Sequence, residues 1–451
     1  MYQFSGKLKV FAIALMVIGV FGIGYGFITG SSKTLEDAKE TIAHQKELAA
    51  QKAEAAKIDP RAIQYGSHKQ MHEAESHKDA AHAANTEEHE AHVLNQLKNR
   101  PWAAFFVSLF FFFMIALLIF AFYVIQIAAS AGWSVVLFRV MEGLSANLVP
   151  LGLLMFLFLL ASALGMNHFY PWMHADGDAI LAGKSWWLNI PGWLIRGAIY
   201  IIGYIFFRYI IRKKSLEQDE ATDYKAHEKG FKYSILFLVF FMLSESALSW
   251  DWIMSLDPHW FSTLFAWYIF ASAVVSAVTV IALVTIYLKT KGFLPFVNDS
   301  HLHDLGVYMF GFSIFWTYLW FAQYMLIWYA NMPEETTYFA QRVHDYNFIF
   351  YLMIALNFAF PILILMDTAW KRKFTVVTIV GLVILVGHYI DVFVMVMPST
   401  VGSQWHFGIP EIGALLFFLG LFIFCGFNAM SKQPLLAKGN PYLKESEEYH
   451  N

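Results

Sequence analysis

Ten separate apolar stretches, each long enough to cross a bilayer, occupy most of this 451-residue sequence. A hydrocarbon core of roughly 30 Å takes about 20 apolar residues of helix. Inside it every backbone polar group must find a partner within protein, so the stretches read as helices. They fall at 8–29, 102–128, 148–167, 191–211, 232–250, 260–288, 305–330, 346–367, 374–397 and 410–429. The composition agrees, at 58% hydrophobic and only 14% charged. The expected fold is therefore an all-α polytopic membrane protein with ten transmembrane helices.

Basic residues give the orientation. Lys7 and Lys9 precede the first stretch, Arg208, Arg212, Lys213 and Lys214 close the fourth, Lys289 and Lys291 follow the sixth, and Lys371, Arg372 and Lys373 separate the eighth from the ninth. In an alternating ten-helix arrangement all of these share one side. The opposite connections, near 168–190, 251–259, 331–345 and 398–409, carry only Lys184 and Arg342. The positive-inside rule places both termini in the cytoplasm. The first stretch is too long and too firmly flanked for a cleaved signal peptide and reads as a retained anchor.

A formal net charge of −3 says little for a chain with this much lipid-facing surface, and nothing points to nucleic acid. Cysteine usage says more. The single Cys425 permits no internal disulfide and no cysteine-ligated iron–sulfur cluster, and there is no CxxCH haem attachment site. Only His388 lies well inside a stretch, which leaves no histidine pair for a b-type haem. The chain is expected to bind no cofactor or metal and to carry no catalytic residue of its own.

Residues 31–99 differ in composition, being rich in Ala, Glu, Lys and His, and lie on the outer side, where a segment of this length translocates largely regardless of charge. Lys33 to Lys57 reads as one helix, and Asp59 followed by Pro60 as the start of a second, with a break near Gly66. An extramembrane helical hairpin is expected, either a docking surface for an outer partner or a passive arm. His68 with His72, and His89 with His92, have helical spacings that metals use, but solvated helices collect such residues by composition alone.

A charge near the bilayer centre costs about 2.5–3.5 kcal/mol on insertion scales, so each one needs a partner or a task. Arg196 lies about one and a half turns into the fourth helix from the outer side, Glu245 a similar distance from the outer end of the fifth, and His388 and Asp391 share one face of the ninth. These depths overlap, and one polar cluster is expected, with Gln323 of the seventh helix contributing. It is an ion pair of Arg196 with Glu245 or Asp391, a proton path to the outer surface, or the wall of a quinol pocket. On the cytoplasmic side Arg139 and Glu142, on an interfacial helix, and Asp367 are either the entrance of a proton half-channel or surface anchors and caps. Asn147, Asn357 and Asn428 read as interhelical hydrogen bonders.

The most specific string, SWDWIMSLDPHWFST at 249–263, joins the fifth and sixth helices. Trp250, Trp252 and Trp260 read as an interfacial belt, Asp257 as the cap of a helix begun by Pro258, and Asp251 as the outermost carboxylate of a relay or a surface acid. With GMNHFYPWMH at 165–174, RVMEGL at 139–144 and HYIDVFVMVMP at 388–398, this string resembles the NrfD-like integral membrane subunits of bacterial alternative complex III, a quinol:cytochrome c oxidoreductase, and most of all its ActF-type subunit. The likeness covers residues 100 to 430.

That resemblance implies two four-helix bundles, spans two to five and six to nine, flanked by the first and tenth. The chain then divides into a first anchor (1–30), a periplasmic hairpin (31–99), two bundles (100–250 and 251–400) and a tenth helix with a cytoplasmic tail (401–451). It further implies a multi-pass place in the bacterial inner membrane, beside an ActC-type NrfD-like subunit, an iron–sulfur subunit, haem c subunits, lipids and in some assemblies a terminal oxidase. Menaquinol or ubiquinol, the iron–sulfur clusters and haem c belong to those partners. The ActF-type subunit itself is structural, with a proton half-channel suggested for it; that role would fall on His388, Asp391 and Asp251. A quinol-binding catalytic subunit of the same complex and a secondary transporter are the alternatives, the latter needing a helix broken at mid-membrane.

Overall fold

The computed structural model describes residues 2–58, 79–174 and 178–450. Among them there is no strand, and ten helical segments are long and apolar enough to cross a membrane: Gly6–Ser31, Glu87–Ala128, Gly132–Ala163, Ile190–Glu220, Lys225–Leu256, Phe265–Thr290, Asp299–Ala330, Asn347–Leu365, Phe374–Val401 and Ile409–Met430. The chain is an all-α, multi-pass membrane protein.

The second crossing helix organises the rest. Its run from Phe105 to Val124 is apolar on every side, the pattern of a helix with no solvent or lipid face, and 94% of its most apolar window is buried. It packs against the first, third, fifth, sixth, ninth and tenth helices. Helices two to five close one ring of neighbours and six to nine a second, and the rings meet where the second touches the sixth and ninth and the fifth touches the sixth. The first and tenth helices pair with each other and lie against the second.

That outer pair is held by missing side chains. A Cβ added to Gly22 would fall 2.7 Å from the Cα of Gly413, and one added to Gly19 would fall 2.5 Å from the backbone of Phe417. Backbones this close gain dispersion contacts that a lipid tail cannot equal, which is how helices associate where the hydrophobic effect is silent.

The described part of the second arm, from Asp79 on, is not a separate helix. It is continuous with the second crossing helix over Asp79–Ala128, 50 residues, or roughly 75 Å at 1.5 Å per residue. Pro101 forfeits one backbone bond, yet its ring fills the space over Gly30, where a Cβ would approach it to 2.8 Å. The first arm, Leu35–Ile58, packs along this helix, with Lys39 and Glu90 paired at 3.4 Å and Gln45 bonded to Ser403 at 2.7 Å. Asp59, Pro60, Gly66, His68 and His72 lie outside the described residues. His89 and His92 join no group of three metal-ligating side chains among those described.

Two crossing helices are irregular where proline dictates. Pro361 has no N–H for the carbonyl of Asn357 and its ring crowds it, and the eighth helix widens into a π turn at Ala355–Ala359. The ninth continues through Pro398 to Val401 rather than stopping before it.

On the face carrying both termini, the helix Leu443–Glu447 seats on the turn Gly132–Leu137. Ser446 Oγ donates to the Trp133 carbonyl at 2.7 Å and accepts from Val136 N at 3.1 Å. Tyr449 donates to Asp304 at 2.6 Å, tying this tail to the start of the seventh helix.

Candidate functional site

The expected single cluster is two. In the second bundle, Asp391 is wholly buried and receives Tyr268 Oη on Oδ1, and on Oδ2 both Ser272 Oγ at 2.7 Å and Trp316 Nε1 at 2.9 Å. His388, one turn back on the same face and equally buried, has Nδ1 3.0 Å from Ser272 Oγ and 3.6 Å from Asp391 Oδ2, with its ring edge-on to Trp316 at 5.3 Å. The sixth, seventh and ninth helices thus surround the carboxylate with neutral donors and one imidazole, and none of its hydrogen bonds comes from a lysine or arginine.

Arg196 belongs to the other bundle. It pairs with Asp251, not with Glu245 or Asp391: Nε reaches Oδ2 and Nη2 reaches Oδ1, each at 2.8 Å, the two-pronged geometry that suits guanidinium to carboxylate. Trp187 Nε1 at 2.8 Å and Tyr200 Oη at 3.1 Å complete the carboxylate, and the guanidinium lies over the Trp187 ring at 4.1 Å. Asp251 is neither a surface acid nor a free relay group. The fifth helix continues through Trp252, which turns residue 251 inward, and Asp251 is fully buried with its main-chain carbonyl taken by Trp193 Nε1 at 2.8 Å.

The rest of the Trp-Asp-Trp string also departs from expectation. Trp252 and Trp260 are buried and only Trp250 is exposed, so the three form no belt. Trp260 stacks on Tyr338 at 3.9 Å. No helix begins at Pro258; the sixth starts at Phe265, and the Asp257 carbonyl closes a turn with Trp260 N at 3.1 Å.

Glu245 stands apart from both clusters. It is buried, with Ser249 Oγ of its own helix donating at 3.2 Å. Gln323 does not touch Asp391 but lines a cavity of about 10 Å³ with Tyr268, Tyr338 and Arg342.

Arg342, counted from the sequence among the connecting segments, lies on the amphipathic helix Pro333–Asp345. It is buried without a carboxylate. Nε donates to the Val394 carbonyl at 3.1 Å, Nη2 to that of Met395 at 3.2 Å and Nη1 to that of Tyr338 at 2.7 Å. Val394 is the acceptor that Pro398 leaves unfilled, so the arginine repairs a break in the ninth helix one turn from Asp391.

On the face of the termini, Arg139 and Glu142 meet at 2.5 Å, but their helix, Phe138–Leu144, is buried throughout rather than interfacial. Arg139 also pairs with Asp219 and bonds Ser215 Oγ at 3.2 Å, while Tyr123 donates to Glu142 at 2.7 Å. A cavity of about 30 Å³, space for roughly one water, lies beside Tyr123, Ser215 and Asp219. Asp367 is no part of this group: exposed, it caps the short helix Thr368–Lys371 by accepting from Ala369 N at 2.8 Å. Asn147 bonds the Leu144 carbonyl of its own segment at 2.9 Å rather than another helix, and neither amide atom of the Asn357 side chain has a hydrogen-bond partner.

Of the residues the sequence reading left out, Tyr268, Ser272 and Ser276 carried a signal, hydroxyls four residues apart along one face of the sixth helix. Trp316 carried none. Comparison with protein-family models and with curated proteins gives no match.

Proposed function

We propose that this chain is a non-redox integral subunit of a quinol-oxidising respiratory complex of the alternative complex III type, which braces the assembly in a bacterial inner membrane with both termini cytoplasmic. In this reading the pair His388 and Asp391 is a proton-binding station inside the bilayer. One observation carries it. Asp391 is fully buried in the middle of a crossing helix and held only by neutral donors and an imidazole, so it is not locked in an ion pair with a lysine or arginine, and ionisable groups placed this way inside a bilayer mark proton pathways. Arg196 with Asp251 is the contrasting case, a closed ion pair suited to holding helices together. The four sequence strings and the basic residues on the terminal face support the complex and the orientation.

Electron transfer from quinol to a cytochrome c or terminal oxidase, through iron–sulfur and haem c groups, is assigned to the partner subunits. Against a quinol site here stands the size of the space next to Tyr268, about 10 Å³, where organic ligands occupy several hundred. The secondary-transporter reading gains the π turn at Ala355–Ala359, a helix interrupted at mid-membrane.

The test is Asp391→Asn in the intact complex reconstituted into vesicles. Haem content and assembly should be unchanged while protons translocated per electron fall; an unchanged proton stoichiometry removes the station and leaves a structural subunit.

A further inference from the structure

Three buried polar side chains lie at one level between the seventh, eighth and ninth helices, and none of the relevant atoms has a partner: Ser313 Oγ, both amide atoms of Asn357, and His388 Nε2. Each residue is fully buried. Their common level follows from the contacts around them. The seventh and ninth helices run in the same direction, and Trp316 bonds Asp391. Three residues back on each lie Ser313 and His388. Asn357 sits on the π turn, which packs against both helices, and its Oδ1 lies where a Cβ on Gly387, next to His388, would come within 2.1 Å.

Ser272 has one hydroxyl hydrogen, and it goes to Asp391 Oδ2 at 2.7 Å. The 3.0 Å contact between Ser272 Oγ and His388 Nδ1 then requires the imidazole to carry its proton on Nδ1 and donate it. Nε2 is left as a bare acceptor pointing away from the carboxylate. Orphaned buried groups of this kind are satisfied in proteins by ordered water, which takes two to four bonds in a polar site. A single π turn inside a crossing helix is also a recurring device at functional sites.

We propose that the π turn of the eighth helix is a hydration site: a bound water donates to His388 Nε2 and to Asn357 Oδ1 and accepts from Asn357 Nδ2 or Ser313 Oγ. His388 becomes a two-sided imidazole, joined through Ser272 to Asp391 and through the water to the eighth helix. That such a chain of bonds carries protons rests on the reading above; that water occupies the π turn does not.

An electron cryo-microscopy map of the full chain in its complex, at a resolution where water is seen elsewhere within the crossing helices, tests it directly. Density within about 3.2 Å of both His388 Nε2 and Asn357 Oδ1 is expected. Clear density for neighbouring waters with none here, a direct bond between Asn357 and His388, or density for a larger ligand would overturn the proposal. Asn357→Leu supplies the second arm. If water is bound, the variant strips His388 Nε2 of its donor and melts several degrees lower; if the site is dry, leucine replaces an unsatisfied amide and the midpoint is unchanged or rises, which also overturns it. Loss of the water leaves the Asp391→Asn result free to go either way, so the two readings fail separately.

Discussion

Arg342 Nε donates at 3.1 Å to the carbonyl of Val394, the acceptor that Pro398, four residues further along the ninth helix, has no N–H to fill. An irregularity in one helix is thereby made good by a side chain from a connecting segment, and the repair lies one turn from the buried carboxylate of Asp391.

Arg342→Met should accordingly leave the Val394 carbonyl bare and cost on the order of 1–3 kcal/mol, the penalty of an unsatisfied buried acceptor. Adding Pro398→Ala restores an N–H for Val394, so the double variant should recover part of the loss. Thermal unfolding in detergent decides it, and a double variant no more stable than the single one would refute the repair.

Arg196→Leu strands the Asp251 carboxylate in the first bundle. Breaking a buried pair by removing one partner costs about 3–5 kcal/mol, and Arg196→Lys should recover only a fraction because an ammonium cannot reproduce the two-pronged fork. Yield of monodisperse protein and the melting midpoint are the readouts. Wild-type behaviour of the leucine variant would mean that Trp187 and Tyr200 suffice for Asp251.

The contact between the first and tenth helices separates two glycines that look alike in sequence. Gly413→Val should detach the first helix, because its side chain would meet the Gly22 backbone. Gly24→Ala, where a Cβ meets nothing within 4 Å, should be tolerated and gain up to about 1 kcal/mol of helix propensity. Engineered cysteine crosslinking between the two helices reads the difference; equal crosslinking in both variants would count against close backbone packing.

His168, in the loop after the third helix, has its pKa held below the ordinary 6.5, chiefly by burial and then by the neighbouring His174 and Lys98. The unfolded loop takes up a proton near 6.5 while the folded one resists it. Its contribution to stability is therefore whole above 6.5 and is lost as the pH falls from there toward the folded value. Limited proteolysis within residues 164–174 should quicken below pH 6.5, and less so in His168→Gln. Superimposable profiles would remove His168 from the effect.

How much of this was legible follows from the kind of information each feature needs. Hydropathy is additive along the chain, so the ten crossings were readable to within a few residues at most ends. The apolar stretches at 102–128 and 374–397 stopped beside Pro101 and Pro398, but both helices run through these prolines, where the first helix's glycines and Arg342 pack against the break. Position along a helix gives depth, which is one coordinate, and Arg196 and Asp391 share it although they occupy different rings. Asp251 was misplaced because one further turn of the fifth helix converts a loop residue into a core residue. Trp316 and Tyr268, the donors that define the Asp391 site, look in sequence like any other aromatic lining of a membrane helix.

The glycine seam also sets an order of events during synthesis. The first helix emerges from the ribosome about 380 residues before its partner, so at roughly 5–20 residues per second it waits some 20–80 seconds with its docking stripe unfilled. Through that interval something other than its final partner covers the stripe, and the tenth helix must displace whatever is there.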